Sequence, residues 1–190
     1  MAIVLGYSMF YVCRLSFSVA KAPMQESGIL DVAQMGNVGL ALFFAYAVGK
    51  FCNGFLTDWT HLGRIMATGL LGSSVLVILF GVKWPVASVF ILIWGLHGWF
   101  QSMGAAPCGG ILANWFSNRE RGARYGIWST SHSLGSAFTF AITSVIVGHY
   151  GWQWGFWSAG GLCLGAAILL YRVMPDRPRG YGLPPVATYK

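Results

Sequence analysis

Charge is scarce in this sequence. Asp, Glu, Lys and Arg make up 9% of the 190 residues, against about 25% in a soluble globular domain. Acids are the scarcest, with five in all: Glu26, Asp31, Asp58, Glu120 and Asp176. None lies paired with another in an apolar stretch, which excludes hydrolysis by two buried carboxylates. Dinucleotide- and mononucleotide-binding glycine motifs, H-E-x-x-H and G-x-S-x-G are all missing. The sequence thus offers no enzyme active site and asks for no cofactor. Its four cysteines, Cys13, Cys52, Cys108 and Cys163, fall one to each of four apolar runs. No C-x-x-C or Cys/His spacing occurs, so neither a zinc site nor a disulfide framework is expected, and the thiols read as small packing groups. The N-terminus has no basic leader and no A-x-A-like cleavage site, unlike a signal peptide.

Apolar runs are what the sequence has in quantity, and 56% of the residues are hydrophobic. Six runs follow one another: Ala2 to about Pro23, Gln34 to Leu56, Ile65 to Val82, Val86 to about Trp115, Tyr125 to Val147 and Trp152 to Val173. Each is long enough to cross a bilayer as a helix, and the fourth is long enough to bend near Pro107. The links are short: Lys21 to Asp31, Asp58 to Arg64, Lys83 to Pro85, Ser117 to Arg124 and Gly148 to Gly151. Sequential helices should therefore be antiparallel neighbours. The predicted fold is all-α: a six-helix transmembrane bundle over residues 1–174, then a Pro/Gly-rich loop over 175–190. Gly122/Gly126, Gly151/Gly155 and Gly161/Gly165 have the spacing of helix-contact pairs.

The formal net charge is +7, but the basic residues sit in short loops, which is a topology signal rather than a nucleic-acid footprint. Lys21 and Lys83 lie in odd-numbered links. Arg64, Arg119, Arg121, Arg124, Arg172, Arg177, Arg179 and Lys190 lie in or beside even links and the tail. The asymmetry places the even links and both chain ends in the cytoplasm of a multi-pass cell-membrane protein.

Two cations fall inside apolar runs. Arg14 lies about 18 Å into the first helix, near the midplane, where an arginine costs at least ~2.5 kcal/mol and stays protonated. It needs either an acid within the bundle or an anionic ligand, and the five acids all fall at helix ends or in links. Lys50 comes within about 6 Å of the same depth. It either shares that ligand or snorkels to the interface. A phosphate dianion suits a guanidinium fork beside an ammonium. His132, in a polar run of the fifth helix, either contacts such a ligand or exchanges a proton, or else bonds a neighbouring helix. Tyr7, Tyr11, Tyr46, Trp99 and Trp128 either line a cavity or pack. His97, with no polar companion in its own run, reads as packing. Asp58, with Arg64, closes the second helix at the cytoplasmic face, where it could act as a conformational lock.

Several stretches carry a resemblance: Gly6-Tyr7 with Tyr11 and Arg14; Tyr46 with Gly49-Lys50-Phe51; Gly98 through Gly104 to Pro107-Cys108-Gly109; Trp115-Phe116-Ser117 with Glu120-Arg121-Gly122; Trp128 with Ser131 through Gly135; and Gly182-Leu183-Pro184-Pro185 with Tyr189-Lys190. Together they resemble the N-terminal half of the organophosphate:phosphate antiporters of the major facilitator superfamily. Leu15 and Trp59 stand where that family often has basic residues. The resemblance implies a phosphate site made by an arginine from each half, Arg14 being the one from this half, with Lys50 and His132 nearby and the five aromatic residues around them, and gating by Asp58, Arg64 and Arg121. It implies exchange of a phosphorylated metabolite, glycerol-3-phosphate or a sugar phosphate, for inorganic phosphate across the inner membrane, or else a sensor that binds such a ligand without transport. It also implies a second, C-terminal six-helix half as partner, this chain being a half-length fragment.

Overall fold

The structure, a computed structural model, describes residues 2–174 and 176–183. Its helices are α1 (Ala2–Glu26), α2 (Val32–Trp59), α3 (Leu62–Phe80), α4 (Ala87–Gln101), α5 (Ala105–Trp115), α6 (Asn118–Phe138), α7 (Ser144–Tyr150) and α8 (Trp152–Val173). A π-helical turn, Thr139–Thr143, joins α6 and α7 into one rod of 33 residues. Five spans are long and apolar enough to cross a membrane, and the broken pair α4–α5 makes the sixth.

Local chemistry sets the ends. Asp31 caps α2 with a reciprocal box: the Gln34 N–H donates to Asp31 Oδ1 at 2.7 Å, and the Asp31 N–H donates to Gln34 Oε1 at 3.0 Å. Gly151, at φ 91°, makes the tight turn between α7 and α8, a backbone conformation that side chains resist. The fourth span breaks at residues 102–104, a few residues before the bend expected near Pro107. Pro107 is the third residue of α5. Its ring crowds the carbonyl four residues back and it has no N–H to offer that carbonyl, so the helix restarts with proline in its first turn. The expected link from Ser117 to Arg124 is helical from Asn118 onward. Hydropathy marks where the apolar stretch begins, whereas Arg and Glu are good helix formers and carry α6 two turns past it.

Packing runs from α2 to α4, α3, α8, α1 and α6 in turn, so the expectation that sequential helices are neighbours fails early in the chain, where α2 packs on α4 rather than on α1 or α3. At its centre Phe80 meets Trp94 at 4.6 Å, Phe156 at 4.9 Å, Phe90 at 5.0 Å and Phe17 at 5.5 Å. Lipid tails are as apolar as these rings, so close van der Waals fit, rather than escape from water, holds the bundle together. Two glycines allow the closest approaches to a neighbouring helix's backbone. A Cβ at Gly98 would run into the Leu42 carbonyl, and one at Gly135 would lie 2.5 Å from the Ser8 carbonyl oxygen. The glycine pairs picked out by spacing behave otherwise. Gly122, Gly126, Gly161 and Gly165 face open space, and only Gly155, against Val147, is a contact point. Spacing identifies a small-residue stripe but not the face it presents.

Asp176 and Arg177, just after α8, are pinned to the bundle. The Leu62 N–H, at the start of α3, donates to Asp176 Oδ1 at 3.0 Å, and Trp115 Nε1 donates to the Asp176 carbonyl at 2.6 Å. Arg177 donates to the Thr57 and Asp58 carbonyls at 3.0 and 2.8 Å. The matching stretch Pro184-Pro185 with Tyr189-Lys190 lies outside the described residues.

Candidate functional site

Tyr7, Tyr11 and Arg14 fall at helical spacing on one stripe of α1, and Trp128 and His132 on one stripe of α6. The two helices meet through Ser8, whose hydroxyl donates to the Ser131 carbonyl at 3.0 Å. Glycine at 135 lets them close, because a Cβ there would also strike Tyr11. The rings then form a continuous aromatic wall. Tyr7 lies 4.9 Å from Trp128 and 5.5 Å from Tyr11, and Tyr11 lies 4.6 Å from His132. Tyr125 extends the wall, 5.0 Å from Trp128.

Arg14 closes the wall toward α2. Its guanidinium carbon sits 4.6 Å from the Tyr46 ring and 5.5 Å from the Tyr11 ring. Lys50, one turn along α2, places its ammonium 5.4 Å from the same Tyr46 ring. Tyr46 is therefore the common neighbour of both intramembrane cations. Seven of the eight sequence-predicted binding residues are thus joined in one chain of contacts. Trp99 is the exception: its carbonyl accepts from Ser102 Oγ at 2.6 Å and from Asn53 Nδ2 at 3.5 Å, while its ring takes no part in the aromatic and cation contacts of the wall.

Every acid is placed elsewhere. Asp31 caps α2, Asp176 caps α3 and lies 3.7 Å from His61, and Glu120 accepts from the Ser117 hydroxyl at 3.0 Å. Glu26 and Asp58 are exposed. Among the described residues Arg14 makes no ion pair, and its Nε is buried without a hydrogen-bond partner. Cation–π contact is worth about 0.5–2 kcal/mol, which is below the cost of an arginine at the bilayer centre. The site is a half-buried guanidinium and an exposed ammonium on an aromatic wall, without a carboxylate among their contacts, an arrangement chemically suited to an oxyanion. No cluster of three metal-ligating side chains occurs among the described residues.

At the basic end, the acid that accepts from a neighbouring helix N-terminus is Asp176, not Asp58. The Asp58 side chain is exposed, and its carbonyl is what binds Arg177. Arg64 contributes its backbone N–H to His61 Nδ1 at 3.4 Å, and its side chain is exposed. Arg121 donates to the Ala113 and Phe116 carbonyls at 3.0 and 3.4 Å, a cation set against the C-terminal carbonyls of α5. Asp58, Arg64 and Arg121 do not contact one another through hydrogen bonds or ion pairs. Asn53, which donates to Ser102 Oγ at 2.7 Å, was not visible as a contact residue in sequence. Nothing local marks it, because its partner lies in another span.

The sequence model of the Major Facilitator Superfamily matches residues 3–187. A probable hexose phosphate transport protein of Chlamydia pneumoniae is 36% identical over 98% of this chain and 41% of its own length. A membrane sensor protein of Salmonella typhimurium is 35% identical over 98% of this chain and 42% of its own length. The chain thus spans about two fifths of the length of these relatives. Among solved structures, an inward-facing bacterial homolog of the human lysosomal transporter Spinster superposes with a TM-score of 0.79 at 18% identity, over 95% of this chain and 43% of that one. That likeness shows the fold alone: a bundle of six helical spans that covers about two fifths of the matched chain.

Proposed function

The chain belongs to the Major Facilitator Superfamily, and from that premise we propose that it forms the N-terminal half of a secondary transporter that exchanges a phosphorylated organic metabolite for inorganic phosphate. The observation that carries the proposal is Arg14: a guanidinium held between Tyr11 and Tyr46, beside Lys50, with no carboxylate to neutralise it. The phosphate end of the substrate supplies the charge. Its sugar or glycerol end is read against the Tyr7–Tyr11–Trp128–His132 wall. In alternating access the second half rocks against this one about the anion, with no need for ATP. The basic end, carrying Arg64, Arg121 and Arg177, faces the cytoplasm by the positive-inside rule, in the inner membrane of a bacterial cell. Asp58, Arg64 and Arg121 are proposed to act in closing that side.

The sensor relative, about as similar as the transport protein, favours a second reading: binding of an external sugar phosphate without flux. Counterflow of labelled phosphate against a hexose phosphate, in vesicles holding the complete protein, separates the two. Exchange supports transport. Binding without exchange supports the sensor, and absence of both refutes the oxyanion site. The 190 residues alone should give no exchange, since one half cannot close both gates, and uptake by this chain as a purified monomer would contradict that.

A further inference from the structure

His97 is fully buried in α4 at 0% exposure, and neither of its ring nitrogens has a hydrogen-bond partner in the protein. An unsatisfied buried polar group costs about 1–3 kcal/mol, so a merely space-filling role would be better served by an apolar residue. Its ring stacks on Trp94, with centroids 4.4 Å apart and planes 23° apart, which fixes the direction of its edge.

That edge lies level with Arg14. Two contacts set the register of α1 against α4: the Phe17 and Trp94 rings at 5.2 Å, and Gln101 Nε2 donating to the Phe10 carbonyl at 3.1 Å. Phe10, Arg14 and Phe17 form one stripe of α1, as Trp94, His97 and Gln101 form one stripe of α4. The outer members pair, with α1 rising as α4 descends. Arg14, three residues below Phe17, therefore shares its depth with His97, three residues below Trp94. The lone groups are complementary: Arg14 Nε–H is a buried donor without an acceptor, and a neutral imidazole offers an acceptor without a donor. Gln101, one turn on, leaves its Oε1 unpartnered while its amide holds the Phe10 carbonyl and Ser73 Oγ, at 3.1 and 3.4 Å.

We infer that His97 is a positioning residue for Arg14: through one internal water its neutral ring accepts from the Nε–H behind the guanidinium, and so aims the outer Nη fork at the bound oxyanion. The inference rests on the oxyanion reading of the site. It differs from packing because it needs the acceptor nitrogen and not only the ring's volume.

The test uses the complete protein in lipid nanodiscs with inorganic phosphate as probe. His97→Leu should weaken phosphate binding about tenfold, the effect of about 1.4 kcal/mol, while His97→Gln, which keeps an acceptor, should restore most of it. Independently of phosphate, the His97 ring-nitrogen resonances of 15N-histidine protein should move in Arg14→Gln. If those resonances stay in place, or if the leucine and glutamine variants bind phosphate equally well, the inference is overturned. If the wild-type chain binds no phosphate, the functional reading fails, and the nitrogen resonances alone decide whether the two side chains are coupled. Should His97→Leu fail to fold, the glutamine variant and the resonances of the Arg14 variant still decide it.

Discussion

Replacing Arg14 separates the functional reading from a structural one, because the two give opposite signs. In the structure the guanidinium has aromatic neighbours at 4.6 and 5.5 Å and no acid. Against a phosphate dianion it offers a fork of two charge-assisted hydrogen bonds, each worth about 1.5–3 kcal/mol. Arg14→Gln removes the charge and the fork, and the loss should be at least about 3 kcal/mol, or over a hundredfold in Kd. Arg14→Lys keeps a point charge and loses the second bond, so about tenfold is expected. The same Gln change takes an unpaired cation out of the span, where the cation costs at least about 2.5 kcal/mol. Thermal stability without phosphate should therefore hold or rise. A structural ion pair would behave otherwise, because breaking one buried partner costs about 3–5 kcal/mol. Titration of labelled phosphate onto the chain in nanodiscs, with a melting curve on each variant, measures both. An unchanged Kd together with a lower melting temperature in Arg14→Gln would refute the reasoning.

Other perturbations read neighbouring parts of the account. Lys50→Gln should weaken phosphate binding by less than Arg14→Gln, a few-fold, because the ammonium is exposed and screened by solvent; the same titration checks it. Gly135→Leu forces a side chain against the Ser8 carbonyl and Tyr11, so α1 and α6 must part, at a cost of about 1–3 kcal/mol; loss of both thermal stability and phosphate binding is the expected outcome. Asp176→Ala removes the acceptor for the Leu62 N–H. The cap loss should cost about 1 kcal/mol, read as faster hydrogen exchange at the start of α3 with phosphate affinity unaltered.

Much of this architecture was legible because a bilayer imposes a simple rule. Six apolar runs gave six spans, and the last, Trp152 to Val173, matches α8 residue for residue. Arg14 stood out for the same reason, since one charge in a long apolar run is conspicuous without any knowledge of its surroundings. Tyr7 and Tyr11 were tied to Arg14 by the resemblance, and the structure places all three at helical spacing on α1. What escaped depends on the third dimension. Gly135 and Gly98 are the close-approach residues, yet neither belongs to the glycine pairs that spacing picked out, because a contact needs the partner's backbone as well. Asp176 looked like part of a polar tail, but its oxygens meet Leu62 and Trp115 only once α8 returns to that end. His97 read as packing because the nearest polar side chains in its own run, Gln101 and Ser102, lie a turn away. Its level relative to Arg14 is set by contacts between two helices, Phe17 with Trp94 and Gln101 with Phe10, which no single run shows.

The most direct measurement asks whether an oxyanion sits on the lone guanidinium. With inorganic phosphate added to the chain in nanodiscs, the dipolar contact between phosphorus and a 13C label at the Arg14 guanidinium carbon reports their separation. A bidentate bond requires about 4 Å, and that short contact is the expected result, abolished when an organic phosphate displaces the probe. Phosphorus contacts confined to Arg64, Arg121 or Arg177 at the basic end, with none at Arg14, would contradict the account.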